Sequence, residues 1–300
     1  ATLFVTLEPC NHFGRTSPCT ETIIDAGIAE VHVSTLDPNP MVNGTGISRL
    51  REAGIRTNVG ECEEHSRHLM KAYLKFVEIG LPFVTAKFAM SLDGKIATHS
   101  GASRWITGEE SRRYAHQLRE QSSAVMVGIN TVLVDNPQLT ARDSQGIALD
   151  RQPMRVIVDS TARTPADARL LSEPGHTLIA ISQVNKIVSR RLADLGVEVE
   201  AVPASDGSVD LWRLLEALAG REVSSVLVEG GGTLLGSLFD KGLIDKYVAF
   251  IAPTIIGSVE APSPIGGRGI EDIKEALRLQ HVTIQQMGKD VMIAGYSESK

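Results

Sequence analysis

Apolar and polar positions alternate from the start of the chain. Leu3-Phe4-Val5-Thr6-Leu7 and Glu30-Val31-His32-Val33-Ser34-Thr35 read as strands, with helical patterns near residues 20–26 and 47–53. Strands separated by short helices predict a mostly parallel layered sheet. Asp37-Pro38-Asn39-Pro40 follows the second strand as a rigid loop, because each proline fixes its own φ and keeps the residue before it extended. A polar amphipathic helix is predicted over residues 63–78, and Gly80-Leu81-Pro82 stops it. The domain boundary is placed there, dividing the chain into residues 1–79 and 80–300.

Past the boundary the strands strengthen into runs of Val, Ile and Ala at residues 83–90, 124–127, 155–159, 177–182, 197–201, 225–229, 247–252 and 291–296. Helical patterns fall at residues 108–121, 187–195, 209–219 and 233–241. The last two strands have no helix of ordinary length between them, so the sheet is expected to end in an antiparallel pair. The fold class is α/β in both halves, which suits a chain of 300 residues, longer than one hydrophobic core usually organises.

Composition narrows the chemistry. A net charge of −6, with no block of Lys and Arg interleaved with aromatics, argues against a polynucleotide substrate. No apolar run approaches the roughly 20 residues that span a bilayer and no leader pattern opens the chain, so a cytoplasmic protein without membrane partners is expected. Three cysteines in such a length do not make a disulfide framework, which leaves metal binding or burial.

Cys10 and Cys19 stand out among them, each preceded by proline in Thr6-Leu7-Glu8-Pro9-Cys10-Asn11-His12-Phe13-Gly14-Arg15-Thr16-Ser17-Pro18-Cys19. A sharp turn between them brings two thiolates to one metal, with Cys19 at a helix start whose dipole favours the thiolate. Cys62, in the polar run Glu61-Cys62-Glu63-Glu64, is not counted with them. Zinc-dependent base deaminases add a His or third Cys and a Glu two residues after it. None of the eight histidines here is followed by such a Glu, and the chain opens on Ala1 inside a strand, so the sequence is expected to begin part-way through a domain.

Four segments of the second half carry candidate chemistry. Lys87-Phe88-Ala89-Met90-Ser91-Leu92-Asp93-Gly94 puts a cation and a carboxylate near a strand end, where open α/β sheets bind ligands, and Ser103, Trp105 and Thr107 follow. Gly128 leads out of a strand into a polar loop holding Asp135 and Arg142, and Arg119 from the preceding helix with Arg142 suits a two-point phosphate clamp. Gly230-Gly231-Gly232, between strand and helix, permits close backbone approach and exposes helix-start amides to phosphate. Asp159-Ser160, with Arg163 close by, ends another strand where a cofactor ribose or its 2′-phosphate would sit.

Taken in order, T-L-E-P-C-x-H-x-G-R-T-x-P-C, D-P-N-P, K-x-A-x-S-L-D-G, W-I-T, T-V-L-x-D-N-P-x-L-T and V-E-G-G resemble the bifunctional riboflavin-biosynthesis deaminase/reductase family. The resemblance implies part of a cytidine-deaminase-like αβα layer domain followed by a dihydrofolate-reductase-like domain. It implies removal of an amino group from a phosphorylated ribosylaminopyrimidine, then NADPH-dependent reduction of the ribosyl group to ribityl. By matching position, Cys10 and Cys19 are zinc (Zn2+) ligands. Ala89, Trp105, Thr131, Asp135, Ser160, Gly231, Gly232, Thr233, Leu234, Leu235, Gly236 and Ser237 match NADPH contacts. Ser103, Arg119, Leu139, Arg142 and Glu229 match substrate contacts. No residue is singled out as the reductase acid, Lys87 and Asp135 being the candidates, and a homo-oligomer is expected. Without a His-x-Glu these residues are expected not to deaminate by themselves. Two other readings stay open: a reductase of another pteridine or pyrimidine with a purely structural deaminase remnant, and a binding module that only mediates assembly.

Overall fold

The computed structural model describes residues 1–14, 16–183 and 186–298; Arg15 of the cysteine motif and the side chains of residues 184–189 lie outside that description. The chain divides into two compact units, Ala1–Leu81 and Pro82–Lys300.

In the first unit, β1 (Thr2–Leu7), β2 (Glu30–Thr35) and β3 (Arg56–Val59) form a parallel sheet in that order, with α1 (Cys19–Asp25) and α2 (Thr45–Glu52) as crossovers. Alternation in β2 buries Val31 and Val33 completely against Ile23, Ile47, Leu50 and Ile55. The edge strand β3 was not legible in Arg56-Thr57-Asn58-Val59, where polar residues dominate. The helix expected over residues 63–78 is two helices, α3 (Glu63–Leu69) and α4 (Lys71–Ile79). They break at Met70, whose φ of −100° and ψ of 15° leave the helical range without any Gly or Pro to announce it.

The second unit contains β4 (Phe83–Ser91), α5 (Glu109–Glu120), β5 (Ala124–Gly128), α6 (Ile129–Asp135), β6 (Met154–Val158), β7 (Thr177–Ile181), α7 (Lys186–Ala193) and β8 (Glu198–Ala201). It continues through α8 (Leu211–Ala219), β9 (Ser225–Glu229), α9 (Gly232–Asp240), β10 (Lys246–Ala252), β11 (Gln280–Met287) and β12 (Asp290–Tyr296). Nine strands make one sheet in the order β11-β12-β10-β4-β9-β5-β6-β7-β8. The seven from β10 to β8 run parallel, and β12 pairs antiparallel with β10, as the missing helix between them led one to expect.

Two elements differ from expectation. Residues 129–135 form α6 and not a loop: Ile129 and Val132, three apart, face inward, and Asn136 ends the helix in the left-handed conformation before Pro137. The extra strand β11 extends the antiparallel end, and it is exposed along nearly its whole length. No helix among the described residues is long and apolar enough to cross a membrane.

Candidate active site

Parallel pairing brings the C-terminal ends of β4, β9, β5 and β6 to one edge of the second sheet. Ligands bind at that edge of open α/β sheets because strand ends and helix starts converge there. Lys87 sits within β4, opposite Glu229 at the end of β9, with Nζ 4.0 Å from Oε2. It also lies 5.6 Å from the centroid of Phe250, which packs edge-on against Tyr114.

Arg119, near the end of α5, closes on the same carboxylate through two parallel bonds, Nε to Oε1 at 2.5 Å and Nη2 to Oε2 at 2.9 Å. Burial by itself would raise the Glu229 pKa, but the charge and hydrogen bonds of Arg119, with Lys87 behind them, hold it at about 2. Burial pushes the Lys87 pKa down, Glu229 pulling the other way. The cluster is therefore a carboxylate fixed as an anion between two cations, one of which is weakened as a base and readier to give up its proton.

Arg142 does not touch Glu229. Its Nε donates to Thr140 Oγ1 at 2.9 Å, while Arg119 Nη1 donates to the Thr140 carbonyl at 3.0 Å, so both guanidiniums converge on one residue. Leu139, adopting φ of 56°, gives the loop the turn that aims Thr140 at them. Arg142 also donates from Nη1 to the Gly146 carbonyl at 2.9 Å and from Nη2 to Gln138 Oε1 at 2.7 Å, so each nitrogen of both guanidiniums has a protein acceptor and the two differ in what holds them, a buried carboxylate for Arg119 and loop oxygens for Arg142. His116, one turn before Arg119 on α5, completes the group with Nδ1 3.1 Å from the Thr140 carbonyl, and burial lowers its pKa. Sequence reading passed over His116, although the i, i+3 spacing to Arg119 places the two on one helix face.

Ser103 and Asp135 meet, the Ser103 hydroxyl donating to Oδ1 at 2.6 Å, and the Arg104 guanidinium donates to the Asp135 carbonyl. Trp105 stands 70% exposed beside them, with the Arg112 guanidinium stacked 4.7 Å from its ring centroid. A large exposed indole held by a cation offers a flat face to a ring. Asp93, expected to face a ligand, is instead consumed within the protein. It accepts from Ser91 Oγ and from the amides of Ile256 and Gly257, bonds that hold its pKa at about 2.

The glycine turn divides by role. Gly230 and Gly231 adopt φ of 65° and 74°, and a Cβ at Gly231 would lie 3.3 Å from Thr131 Oγ1 on α6. Gly232 and Gly236 are needed for internal packing: an added Cβ would come within 2.4 Å of Ser263 O and 2.3 Å of Gly266 C. No side chain caps α9, so the first-turn amides contributed by Thr233 and Leu234 remain available to an acceptor. Ala89, in register with Phe250, lies on β4 two residues beyond Lys87, while Leu235 is buried and Ser237 turns its hydroxyl to the Thr233 carbonyl. Ser160 uses its carbonyl to hold Ser182 Oγ at 2.9 Å.

In the first unit the Cys19 amide donates to Cys10 Sγ at 3.4 Å, and the side-chain hydrogen bond between the two cysteines, with burial behind it, raises the Cys19 pKa. Among the described residues no three His, Cys, Asp or Glu converge as ligands, so the residues present do not fit a complete zinc centre. Beside the pair, Glu8 is buried and accepts from the amides of Asp37, Gly44, Gly46 and Ile47 at 2.9–3.3 Å. It ties the Asp37-Pro38-Asn39-Pro40 loop to the start of α2.

Comparison with known proteins bears on all of this. Residues 82–293 match the RibD C-terminal domain. The riboflavin biosynthesis protein RibD of Aquifex aeolicus is 42% identical over 293 residues, covering 98% of this chain and 80% of that protein. The solved RibD structure from Acinetobacter baumannii superposes with a TM-score of 0.87 at 35% identity, over 99% of this chain and 80% of that one. A Thermotoga maritima diaminohydroxyphosphoribosylaminopyrimidine deaminase/5-amino-6-(5-phosphoribosylamino)uracil reductase gives 0.83 at 32% identity, over 98% and 78%. With the motifs in family order and the second unit built as the family's reductase domain, the chain belongs to the RibD family of riboflavin biosynthesis.

Proposed function

We propose that the second unit reduces 5-amino-6-(5-phosphoribosylamino)uracil to the ribitylamino compound with NADPH. The observation that carries this reading is the buried Lys87–Glu229–Arg119 cluster, continuous along the chain with the uncapped Gly230-Gly231 turn at the end of β9. The turn fits a dinucleotide: two left-handed glycines without side chains, a hydroxyl at Thr131 and unsatisfied amides suit a pyrophosphate. Bound NADPH would supply the hydride that reaches the sugar's anomeric carbon.

The protein's residues do the rest. As the bond from that carbon to the ring oxygen breaks, the oxygen takes a proton, and Lys87 is the group able to give it. Glu229 stays ionised and stabilises the lysine's charge until the transfer. Arg142, with Thr140 and the remaining capacity of Arg119, holds the substrate's phosphate, and the Trp105 face covers the rings. Ser103 is positioned through Asp135 to contact the substrate. Deamination, the other activity in the name of the Thermotoga relative, is not assigned to these 300 residues, which hold Cys10 and Cys19 but no His-x-Glu.

The test is NADPH consumption by the purified chain, with the ribosylaminopyrimidine substrate compared against dihydrofolate. Turnover of the first alone supports the reading, whereas equal or exclusive use of dihydrofolate refutes it.

A further inference from the structure

Arg155, on β6, is only 1% exposed, and its guanidinium is spent on the turn before β7. Nη1 donates to the Pro174 carbonyl at 2.7 Å, Nη2 to the carbonyls of Glu173 and Gly175 at 3.0 and 2.7 Å, and Nε to Thr177 Oγ1 at 3.0 Å. Moving the turn away would strip a buried charge of its acceptors, so residues 173–177 are fixed. That fixed turn grips the loop after α6. The half-buried Glu173 carboxylate accepts from Gln138 Nε2, and just upstream the Arg169 amide donates to Asn136 Oδ1 at 2.8 Å. The other end of the Gln138 amide, Oε1, accepts from Arg142 Nη2 at 2.7 Å. Gln152 holds the residue before Arg142, its Oε1 accepting from the Ala141 amide at 2.8 Å and its Nε2 donating to the Ala141 carbonyl at 3.0 Å.

We propose that Gln138, oriented by Glu173 on the turn that Arg155 fixes, is a positioning residue for Arg142 and sets the affinity for the substrate's phosphate. The inference rests on the reading above, that Arg142 holds that phosphate. The three groups holding Arg142, Thr140 Oγ1, the Gly146 carbonyl and Gln138 Oε1, are all uncharged, so they orient the guanidinium without neutralising it. They engage three of its five N–H donors, and the other two suit a phosphate. A side chain already held also loses less freedom when the anion arrives. An amide fits position 138 because it gives Glu173 a donor and Arg142 an acceptor at once. A carboxylate there would repel Glu173 and neutralise Arg142, and an aliphatic chain would orient neither.

The experiment is steady-state kinetics of the full chain with NADPH and the ribosylaminopyrimidine, with and without its phosphate, for Gln138→Ala, Glu173→Ala, Glu173→Gln, Arg142→Ala and the double variant Glu173→Ala/Arg142→Ala. Glu173→Ala, at a half-buried position, reads the same tether should Gln138→Ala fail to fold. The KM for the phosphorylated substrate should rise about fivefold in Gln138→Ala and about threefold in Glu173→Ala, with kcat and the Kd for NADPH within about twofold of wild type. Glu173→Gln keeps an oxygen acceptor for Gln138 Nε2 and should restore the KM to within about twofold. On the substrate without phosphate the Gln138 and Glu173 variants should match wild type, and adding Glu173→Ala to Arg142→Ala should raise the KM no further. Equal losses on both substrates, a fall in kcat instead of a rise in KM, or full additivity in the double variant overturns the inference. Unchanged KM in Gln138→Ala and Glu173→Ala while Arg142→Ala raises it overturns the tether and leaves the clamp standing. Unchanged KM in Arg142→Ala itself overturns the underlying reading as well.

Discussion

Replacing Glu229 with Gln removes the anion between Lys87 and Arg119 while keeping the side chain's shape, and its cost can be worked from the geometry. The carboxyl is held from an ordinary value of 4.5 down to about 2, and it is only 7% exposed, so solvent does little to screen the interaction. A depression of that size corresponds to about 3 kcal/mol in favour of the folded state. Loss of one partner from a buried pair costs a similar amount, about 3–5 kcal/mol. Because the folded pKa lies below the unfolded one, the contribution is complete above the ordinary glutamate value and is lost as pH falls toward about 2. Trp105 and Trp212 both lie in the second unit, so urea unfolding followed by tryptophan fluorescence reports that unit alone. Glu229→Gln should lose about 3 kcal/mol at neutral pH, and the gap from wild type should shrink to about half or less by about pH 3. A neutral-pH loss below about 1 kcal/mol, or a gap that does not narrow in acid, would refute the pairing as described.

Three further outcomes follow from the site. Arg142→Ala should raise the KM for the phosphorylated substrate by about tenfold or more and leave the Kd for NADPH unchanged; equal losses in both would contradict the clamp. Lys87→Met should lower kcat by about 100-fold or more with a smaller change in KM, and wild-type kcat should fall at alkaline pH below the free-lysine value of 10.5, since burial lowers the Lys87 pKa. Gly236→Ala places a Cβ 2.3 Å from Gly266 C, so the urea midpoint should fall by the equivalent of about 1–3 kcal/mol; an unchanged midpoint would show that the loop around Gly266 yields freely.

Periodicity carried most of the fold. The buried strands β5, β6, β7 and β9 each carry an uninterrupted apolar run of three or four residues, and such runs mark parallel sheets covered on both faces. It failed where local composition and tertiary demand diverge. In α6 the run Val132-Leu133-Val134 has the branching of a strand, yet burial of Ile129 and Val132 against the sheet makes it a helix. The exposed β11 has no buried face to impose a register signal, so only its pairing with β12 defines it. The site divides in the same way. Gly230, Gly231 and Lys87 announce themselves locally, whereas Arg119 and Glu229 are 110 residues apart and meet only because α5 crosses the end of β9. Asp159 is buried and accepts from the amide and hydroxyl of Thr164, and nothing in Asp159-Ser160 itself reveals it.

The most direct measurement mixes the purified chain with NADPH and 5-amino-6-(5-phosphoribosylamino)uracil, following NADPH absorbance and identifying the product by mass. Stoichiometric loss of NADPH with a product two hydrogens heavier is expected, and its rate should fall by about 100-fold or more in Lys87→Met. NADPH left untouched by a folded chain that binds it, or consumed equally well in the Lys87 variant, would contradict the reductase mechanism set out above.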